Sequence, residues 1–339
     1  MQNLIEGLND KQKEAVLATE GPCLVIAGAG SGKTKVLTHK IAYLISEKNV
    51  KPYNILAITF TNKAASEMKQ RVEKIVGDVA QEMWMGTFHS ICVRILRRFI
   101  DRIGFDTSFL IFDTSDQKTV VKECLKALNI DDKTFSDRSV LSEISNAKNE
   151  MLTPKAYQAK YSGEFRKEKI GQVYELYQKR LRENNAIDFD DIINYTIDIL
   201  SENPDVLQYY TEKFKYVLVD EYQDTNKAQF TLVTILASRY GNITVVGDND
   251  QGIYSFRGAD ISNILNFEKD FPGTKIIKLE QNYRCTGNIL KAANAVIKHN
   301  ENKYEKKLWT ENEEGSLPCL YQAEDEYDEA NYVVKQIEH

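Results

Sequence analysis

Cys23-Leu-Val-Ile-Ala-Gly-Ala-Gly-Ser-Gly-Lys-Thr34 decides the fold of this chain. A short apolar, β-type run (Cys23 to Ala27) leads straight into a glycine-rich turn, and a helical pattern from Lys33 to Glu47 follows at once. A strand, a glycine loop and a helix in that order aim backbone N–H groups and the positive end of a helix dipole at one point, an arrangement suited to phosphate. In this loop Ala27, Gly28, Ala29, Gly30, Ser31 and Gly32 would wrap the phosphates, Lys33 would neutralise them, and the Thr34 hydroxyl would hold Mg2+. The usual pattern begins with Gly where this chain has Ala27, but Gly28, Gly30 and Gly32 remain. A glycine-rich turn without a ligand is the plain alternative. The strand before it and the helix after it decide for a nucleotide triphosphate.

Outward from the loop the same alternation repeats. Ile55-Leu-Ala-Ile-Thr59 is a second β-type run, followed by a helical pattern from Asn62 to Val76. Tyr216-Val-Leu-Val-Asp220, Ile243-Thr-Val-Val-Gly247 and Lys275-Ile-Ile-Lys-Leu279 are further strands. Apolar runs alternating with helices predict a parallel sheet with crossover connections, the α/β class of P-loop NTPases. From about 110 to 187 the pattern turns helical and charged, Val173 to Glu183 being one such helix. The economical division is a split α/β domain over 1–109 and 188–278, a helical domain inserted at 110–187, and the start of another domain at 279–339. Ala323 to His339 reads as a helix still running at the last residue, so a longer natural chain is expected.

A phosphate loop needs an acidic partner for its metal. Asp220 and Glu221 close the strand run Val217-Leu-Val-Asp-Glu-Tyr-Gln-Asp224. Asp220 is the candidate for Mg2+, and Glu221 for polarising the water that attacks the γ-phosphate. Alone, two acids after a strand read as a turn; beside Lys33 the catalytic reading prevails.

Composition bounds the rest. At 339 residues, two or more domains are expected, and 42% apolar with 28% charged residues belongs to a globular protein. No apolar run approaches the roughly 20 residues of a membrane span. Met1-Gln-Asn-Leu-Ile-Glu-Gly-Leu8 lacks the basic start and apolar stretch of a signal peptide. Five cysteines without CxxC spacing argue against a disulfide framework or a zinc site and fit a reducing cytoplasm. The net charge of −6 is uneven: residues 301–339 carry 11 acidic and 4 basic side chains, so residues 1–300 are near +1. A near-neutral body can still carry a basic groove, so charge neither demands nor excludes nucleic acid.

Asp220-Glu-Tyr-Gln-Asp224 together with the phosphate loop resembles the motifs of UvrD/Rep/PcrA helicases of superfamily 1, and other stretches match in the family's order. Leu8-Asn-Asp-Lys-Gln12 looks like the family's N-terminal glutamine motif. Ile58-Thr-Phe-Thr-Asn-Lys-Ala-Ala65 and Gly86-Thr-Phe-His-Ser90 are similar to segments that track single-stranded DNA. Val246-Gly-Asp-Asn-Asp-Gln-Gly-Ile-Tyr-Ser-Phe-Arg-Gly-Ala259 looks like the coupling motif, and Leu279-Glu-Gln-Asn-Tyr-Arg284 like the opening of the second motor domain. The resemblance implies a RecA-like first motor domain, with ATP and Mg2+ as ligands and travel 3′ to 5′ on DNA in repair or replication. Single-stranded DNA, single/double-strand junctions and repair or replication proteins are the implied partners.

Residue by residue, the resemblance implies that Gln12 reads the adenine edge and Tyr283 stacks on the base. Gln251 would sense the γ-phosphate, and Arg284 would reach it as an arginine finger. Lys35 follows the phosphate loop where many relatives have Arg, keeping charge but losing planar hydrogen bonding. Phe60, Thr61, Asn62, His89, Tyr254, Phe256 and Arg257 would touch the strand, with Phe256 where the family often has Trp. Aromatic platforms tolerate any base, as a translocating motor requires. Read singly, Phe60 or Phe256 would be core and His89 a packing residue near the Gly86 turn. Arg94, Arg97, Arg98 and Arg102 recur on a helical pattern and are read as a solvated face. The family's later motifs do not occur within these residues, so weak nucleotide binding, poor hydrolysis and no efficient unwinding are expected of this chain. A helicase-nuclease subunit or a non-catalytic DNA clamp are the other readings; the clamp is disfavoured by Lys33, Asp220 and Glu221.

Overall fold

The computed structural model describes residues 4–300 and 304–338, save for the side chain of Arg257. Among the described residues eight strands form in chain order: β1 (Cys23–Ala27), β2 (Ile55–Thr59), β3 (Trp84–Thr87), β4 (Leu110–Ile111), β5 (Ala186–Ile187), β6 (Tyr216–Val219), β7 (Ile243–Gly247) and β8 (Lys275–Leu279). Six of them make one parallel sheet in the order β3-β2-β6-β7-β1-β8. The strands β1, β2 and β7 are buried along their whole length, which is why they read as unbroken apolar runs rather than alternating ones. The β3 strand was not expected. It is four residues long, contains Gly86 and sits at the sheet edge, so its periodicity is too short to register.

The helices α1 (Asp10–Leu17), α2 (Lys33–Ser46) and α3 (Asn62–Val76) serve one face, and α4 (Phe88–Phe99) begins directly from β3. Next come α5 (Thr114–Ala127), α6 (Asp137–Asn149), α7 (Pro154–Lys160) and α8 (Phe165–Glu183), then α9 (Phe189–Glu202), α10 (Pro204–Lys213) and α11 (Lys227–Ala237). Alternate residues of each strand feed different cores. Leu24, Ile26, Leu56 and Ile58 join the core under α4, α9, α10 and α11. Cys23, Val25, Ile55 and Ala57 join the one under α1, α2 and α3. A third core, including Val121, Leu125, Ile144, Tyr174 and Leu181, lies among α5, α6, α7 and α8. Where the chain leaves for these helices and where it returns, β4 and β5 pair in parallel. Two short helices, α12 (Ser262–Leu265) and α13 (Phe267–Asp270), precede β8, and α14 (Gly287–Ile297) and α15 (Glu326–Glu338) follow it. His339, the end of the expected last helix, lies outside the described residues. Among the described residues no helix is long and apolar enough to cross a membrane.

The arginines read as a solvated face do more than that. Arg94 lies 3.8 Å over the Trp84 ring, and Arg97 lies 3.8 Å over Phe109 while donating to the carbonyls of Thr107 and Phe109. Arg102 pairs with Asp205 at 3.1 Å. The planar heads of Arg94 and Arg97 cover aromatic surface, a use of arginine that spacing alone does not reveal.

Candidate nucleotide and strand site

Parallel strands present all their carboxyl ends along one edge, and there the motifs gather. The phosphate loop follows β1, Phe60-Thr61-Asn62 follows β2, and His89 follows β3. Asp220-Glu221 follows β6, Asp248–Gln251 follows β7, and Glu280–Arg284 follows β8.

The phosphate loop takes its shape from glycine. Gly30 and Gly32 have φ of +68° and +89°, where a side chain would be strained, and Gly32 is the N-cap of α2. A Cβ on Gly30 would lie 2.7 Å from Asn282, and one on Gly32 2.8 Å from Gln12, so either would also force a neighbouring side chain to shift. Ser31 is buried and donates from Oγ to the Gly28 carbonyl at 2.7 Å. Ala27 is the buried last residue of β1, and the Ala29 carbonyl accepts from Asn282 Nδ2 at 2.7 Å. Thr34 is half-buried in the first turn of α2. The exposed Lys35 turns elsewhere, its Nζ donating to the Gly7 carbonyl at 2.8 Å.

Lys33 reaches across the edge to Glu221, Nζ to Oε2 2.6 Å. Glu221 sits at φ 49°, ψ 42°, a left-handed backbone that costs a residue other than glycine about 1–3 kcal/mol. Beside it Asp220 is buried, accepts the Glu221 N–H at 3.0 Å, and has its carboxyl pushed up to about 6, first by burial and then by the Glu221 charge. Asp224 is likewise raised to about 6 by burial and by Glu221. Such shifted acids mark sites that receive a cation or a proton. Among the described residues no three His, Cys, Asp or Glu cluster to hold a metal by themselves. A hydroxyl, one carboxylate and nucleotide oxygens sharing Mg2+ would need no such cluster.

Gln12, 2% exposed, spans from α1 to the loop: Nε2 donates to the Ser31 carbonyl at 2.9 Å and Oε1 accepts the Asn9 N–H at 3.1 Å. Asn9 Nδ2 in turn donates to the Tyr283 hydroxyl at 2.7 Å, which brings the two expected adenine contacts to one side of the loop. Tyr283 is half exposed and its N–H donates to the Gly30 carbonyl at 3.0 Å. Arg284 is exposed, its backbone N–H held by Asn282 Oδ1 at 2.8 Å.

Glu221, Gln223, Asp224 and Gln251 line a cleft of about 550 Å³ together with Phe60, Thr61, Ile253 and Tyr254. Phe60 is half-buried, edge-on to Phe88 with centroids 5.5 Å apart. Thr61 caps α3 through Ala64 N–H, and Asn62 is exposed. Tyr254 and Phe256 are 39% and 73% exposed with rings 6.1 Å apart, far more open than core aromatics. His89 and Phe256 line a second cleft, of about 390 Å³, against α6 and α9. Burial holds the His89 imidazole below the ordinary histidine range. The side chain of Arg257 lies outside the described residues.

Three residues of this edge went unassigned in the sequence. Gln223, inside the Asp220–Asp224 run, donates to Glu221 Oε2 at 3.0 Å and accepts the Asp248 N–H at 3.0 Å. Asn282, inside the run before Arg284, ties the phosphate loop to the Tyr283–Arg284 turn. Phe189, 54% exposed, faces His89 at 5.3 Å. The first two stood within quoted motifs, so position was legible while partners were not. Phe189 follows Asp188, a helix-capping signal that hid the ring.

Comparison with known proteins gives the arrangement its relatives. Two proteins called ATP-dependent DNA helicase PcrA are similar over 337 residues, 99% of this chain. The one from Staphylococcus epidermidis is 58% identical and the one from Staphylococcus aureus 56%. The chain spans about half the length, 46%, of each. Residues 277–339 match the UvrD-like helicase C-terminal domain, and residues 8–272 match the UvrD/REP helicase N-terminal domain. By that second match, which takes in most of its length, the chain belongs to the UvrD/REP helicase family.

Proposed function

We propose that these residues form the nucleotide-binding and strand-gripping part of an ATP-driven DNA helicase or translocase that moves 3′ to 5′ along single-stranded DNA in repair or replication. The Lys33–Glu221 contact carries the reading: a phosphate-loop lysine and a base candidate meet at 2.6 Å, and the same Glu221 lines the cleft of Phe60 and Tyr254. Residues 1–109 with 188–278 act as the first motor domain, 110–187 as an inserted helical domain and 279–339 as the beginning of a second. The separate core of α5, α6, α7 and α8 supports that division.

Lys33 and the N–H groups of the loop bind the phosphates. Thr34 and Asp220 would hold Mg2+, which supplies neutralisation of charge on the β- and γ-phosphates. While Lys33 holds Glu221 Oε2, that oxygen is occupied by the ammonium. Phosphate oxygens compete for the ammonium, and Glu221 is then released to polarise water. Gln251 senses the γ-phosphate, Tyr283 and Gln12 hold adenine, and Arg284 reaches the phosphates from the second domain. Phe60, Thr61, Asn62, His89, Tyr254, Phe256 and Arg257 grip the strand, with Phe189 as a further platform. Because the chain spans 46% of its PcrA relatives, slow turnover without efficient unwinding is proposed for it alone.

The test is ATP turnover with and without a single-stranded oligonucleotide, Lys33→Ala serving as the blank. Stimulation by the strand is the expected result. Absence of stimulation here and in a chain extended to the relatives' length would overturn the helicase reading.

A further inference from the structure

Residues 304–309, Tyr-Glu-Lys-Lys-Leu-Trp, reach the phosphate loop through Leu308 and the coupling segment through Lys306. Tyr304 is buried in the core and its hydroxyl donates to Glu268 at 3.2 Å. The Lys307 and Trp309 N–H groups both donate to Glu280, at 2.8 and 3.0 Å. A Leu308 methyl fills the space that a Cβ on Gly28 would take. At the centre is Lys306, only 3% exposed, with Nζ 2.5 Å from Asp248 Oδ1 and also paired with Asp250.

Asp248 has a second client. Its other oxygen, Oδ2, accepts from Gln251 Nε2 at 2.5 Å. One buried carboxylate is therefore shared between a lysine from the segment after β8 and the glutamine assigned to the γ-phosphate. A hydrogen bond to an ionised carboxylate is about twice as strong as a neutral one, and low dielectric strengthens it further. A cation on the same carboxylate draws away that negative charge and loosens its hold on the amide. Asn249, between the two acids, is buried with neither amide atom hydrogen-bonded.

We infer that Lys306 is a positioning residue for Gln251: by sharing Asp248 it sets how readily the glutamine amide leaves that carboxylate for a nucleotide phosphate. The inference rests on the motor reading above. It makes the contact between the 304–309 segment and the coupling segment part of the link between nucleotide and strand.

The test measures binding alone, on the 339-residue chain. Affinity for a fluorescent oligothymidine is measured by anisotropy with and without a saturating non-hydrolysable ATP analogue and Mg2+. The ratio of the two dissociation constants is the coupling factor. In Lys306→Met the factor should move about fivefold or more toward one, while each ligand alone binds within about twofold of wild type. Lys306→Arg, keeping the charge, should recover much of it. Asp248→Asn should shift the factor away from one, because a neutral acceptor releases Gln251 more easily. Should Lys306→Met fail to fold, the opposite shift in Asp248→Asn decides. A role confined to stability would leave the ratio unchanged in the folded variants. An unchanged factor in Lys306→Met, or in Asp248→Asn where that variant decides, overturns the inference alone. A wild-type factor of one overturns the motor reading and the inference with it.

Discussion

Replacing Lys148 by Met tests the junction on which part of the proposed strand site stands. Lys148 projects from α6, 1% exposed, with Nζ 2.6 Å from Asp188 Oδ2 and 2.7 Å from Asp191 Oδ1. Burial disfavours its charge, but the two carboxylates outweigh burial and hold the ammonium well above the ordinary lysine value. Asp188 caps α9, accepting the Asp191 N–H at 2.9 Å, and the Tyr177 hydroxyl donates to its Oδ2 at 2.9 Å. Methionine keeps the stem's volume and strands two buried carboxylates side by side. Removing one member of a buried ion cluster costs about 3–5 kcal/mol, and no discount for solvent applies to groups this buried. Against a total of about 5–15 kcal/mol for a folded domain the loss is large. Protonation offers partial relief, since burial and the Asp188 charge already push the Asp191 carboxyl up to about 7. The sign with pH follows: an acid whose folded pKa is raised contributes stability that is lost as pH rises through that value. The penalty of Lys148→Met should therefore grow between pH 5.5 and 8, by up to about 1.4 kcal/mol per unit for each stranded acid. Urea unfolding followed by circular dichroism at both pH values measures it, with the midpoint expected to fall by about 1–2 M at pH 8. A loss under about 1 kcal/mol, or one independent of pH, would refute the reasoning.

Glu221→Gln should bind nucleotide yet turn it over about 10²–10⁴-fold more slowly, because a neutral amide cannot take the proton from water; single-turnover phosphate release reads this directly. Asp220, with its carboxyl near 6, must be ionised to hold a cation, so Mg2+-dependent nucleotide binding should weaken as pH falls from 7.5 to 5.5. In the ligand-free fold the same raised value acts oppositely: stability from this group is lost as pH rises through about 6, and the difference in thermal midpoint between wild type and Asp220→Asn should show it. Phe256→Ala removes a ring that is 73% exposed, so strand affinity should fall by about 1–3 kcal/mol while the thermal midpoint stays put; a stability loss without an affinity loss would return Phe256 to the core.

What the sequence disclosed and what it withheld divide along a physical line. Strands buried on both faces announce themselves as apolar runs, and β1, β2, β6 and β7 were legible for that reason, while β8 at the sheet edge buries only Ile277 and Leu279. The glycines at positive φ, Gly30 and Gly32, were legible because few other residues tolerate that backbone. The strand order was not, since β1 lies between β7 and β8, pairings that join residues more than 200 positions apart. Nor was the destination of polar side chains whose partners lie across the edge. Lys306 stands in an acidic, apparently surface stretch and is buried on Asp248; Gln223 looks like filler in an acidic run and bridges two motifs. The Lys35 ammonium donates to the Gly7 carbonyl, a partner that its place after Thr34 does not disclose. Spacing reports which face a residue shares, not which distant partner satisfies it.

Those distant partners connect in one direction. Glu221 Oε2 is shared by Lys33 at 2.6 Å and Gln223 at 3.0 Å, and the other end of the Gln223 amide holds the Asp248 N–H. Asp248 holds Gln251, whose side chain shares the cleft with Phe60 and Tyr254. Every link is a hydrogen bond to a carboxylate or an amide, so each can be exchanged for a phosphate or water partner without moving the sheet. A rigid parallel sheet with exchangeable side-chain contacts along one edge allows a local change at Lys33 to alter the cleft while the core stays packed. Energetic coupling between two sites needs contacts that can take two arrangements each. What the arrangement supplies is a physical route for it: Glu221 cannot be released from Lys33 without changing what Gln223 holds, and Gln223 cannot turn without freeing the Asp248 backbone.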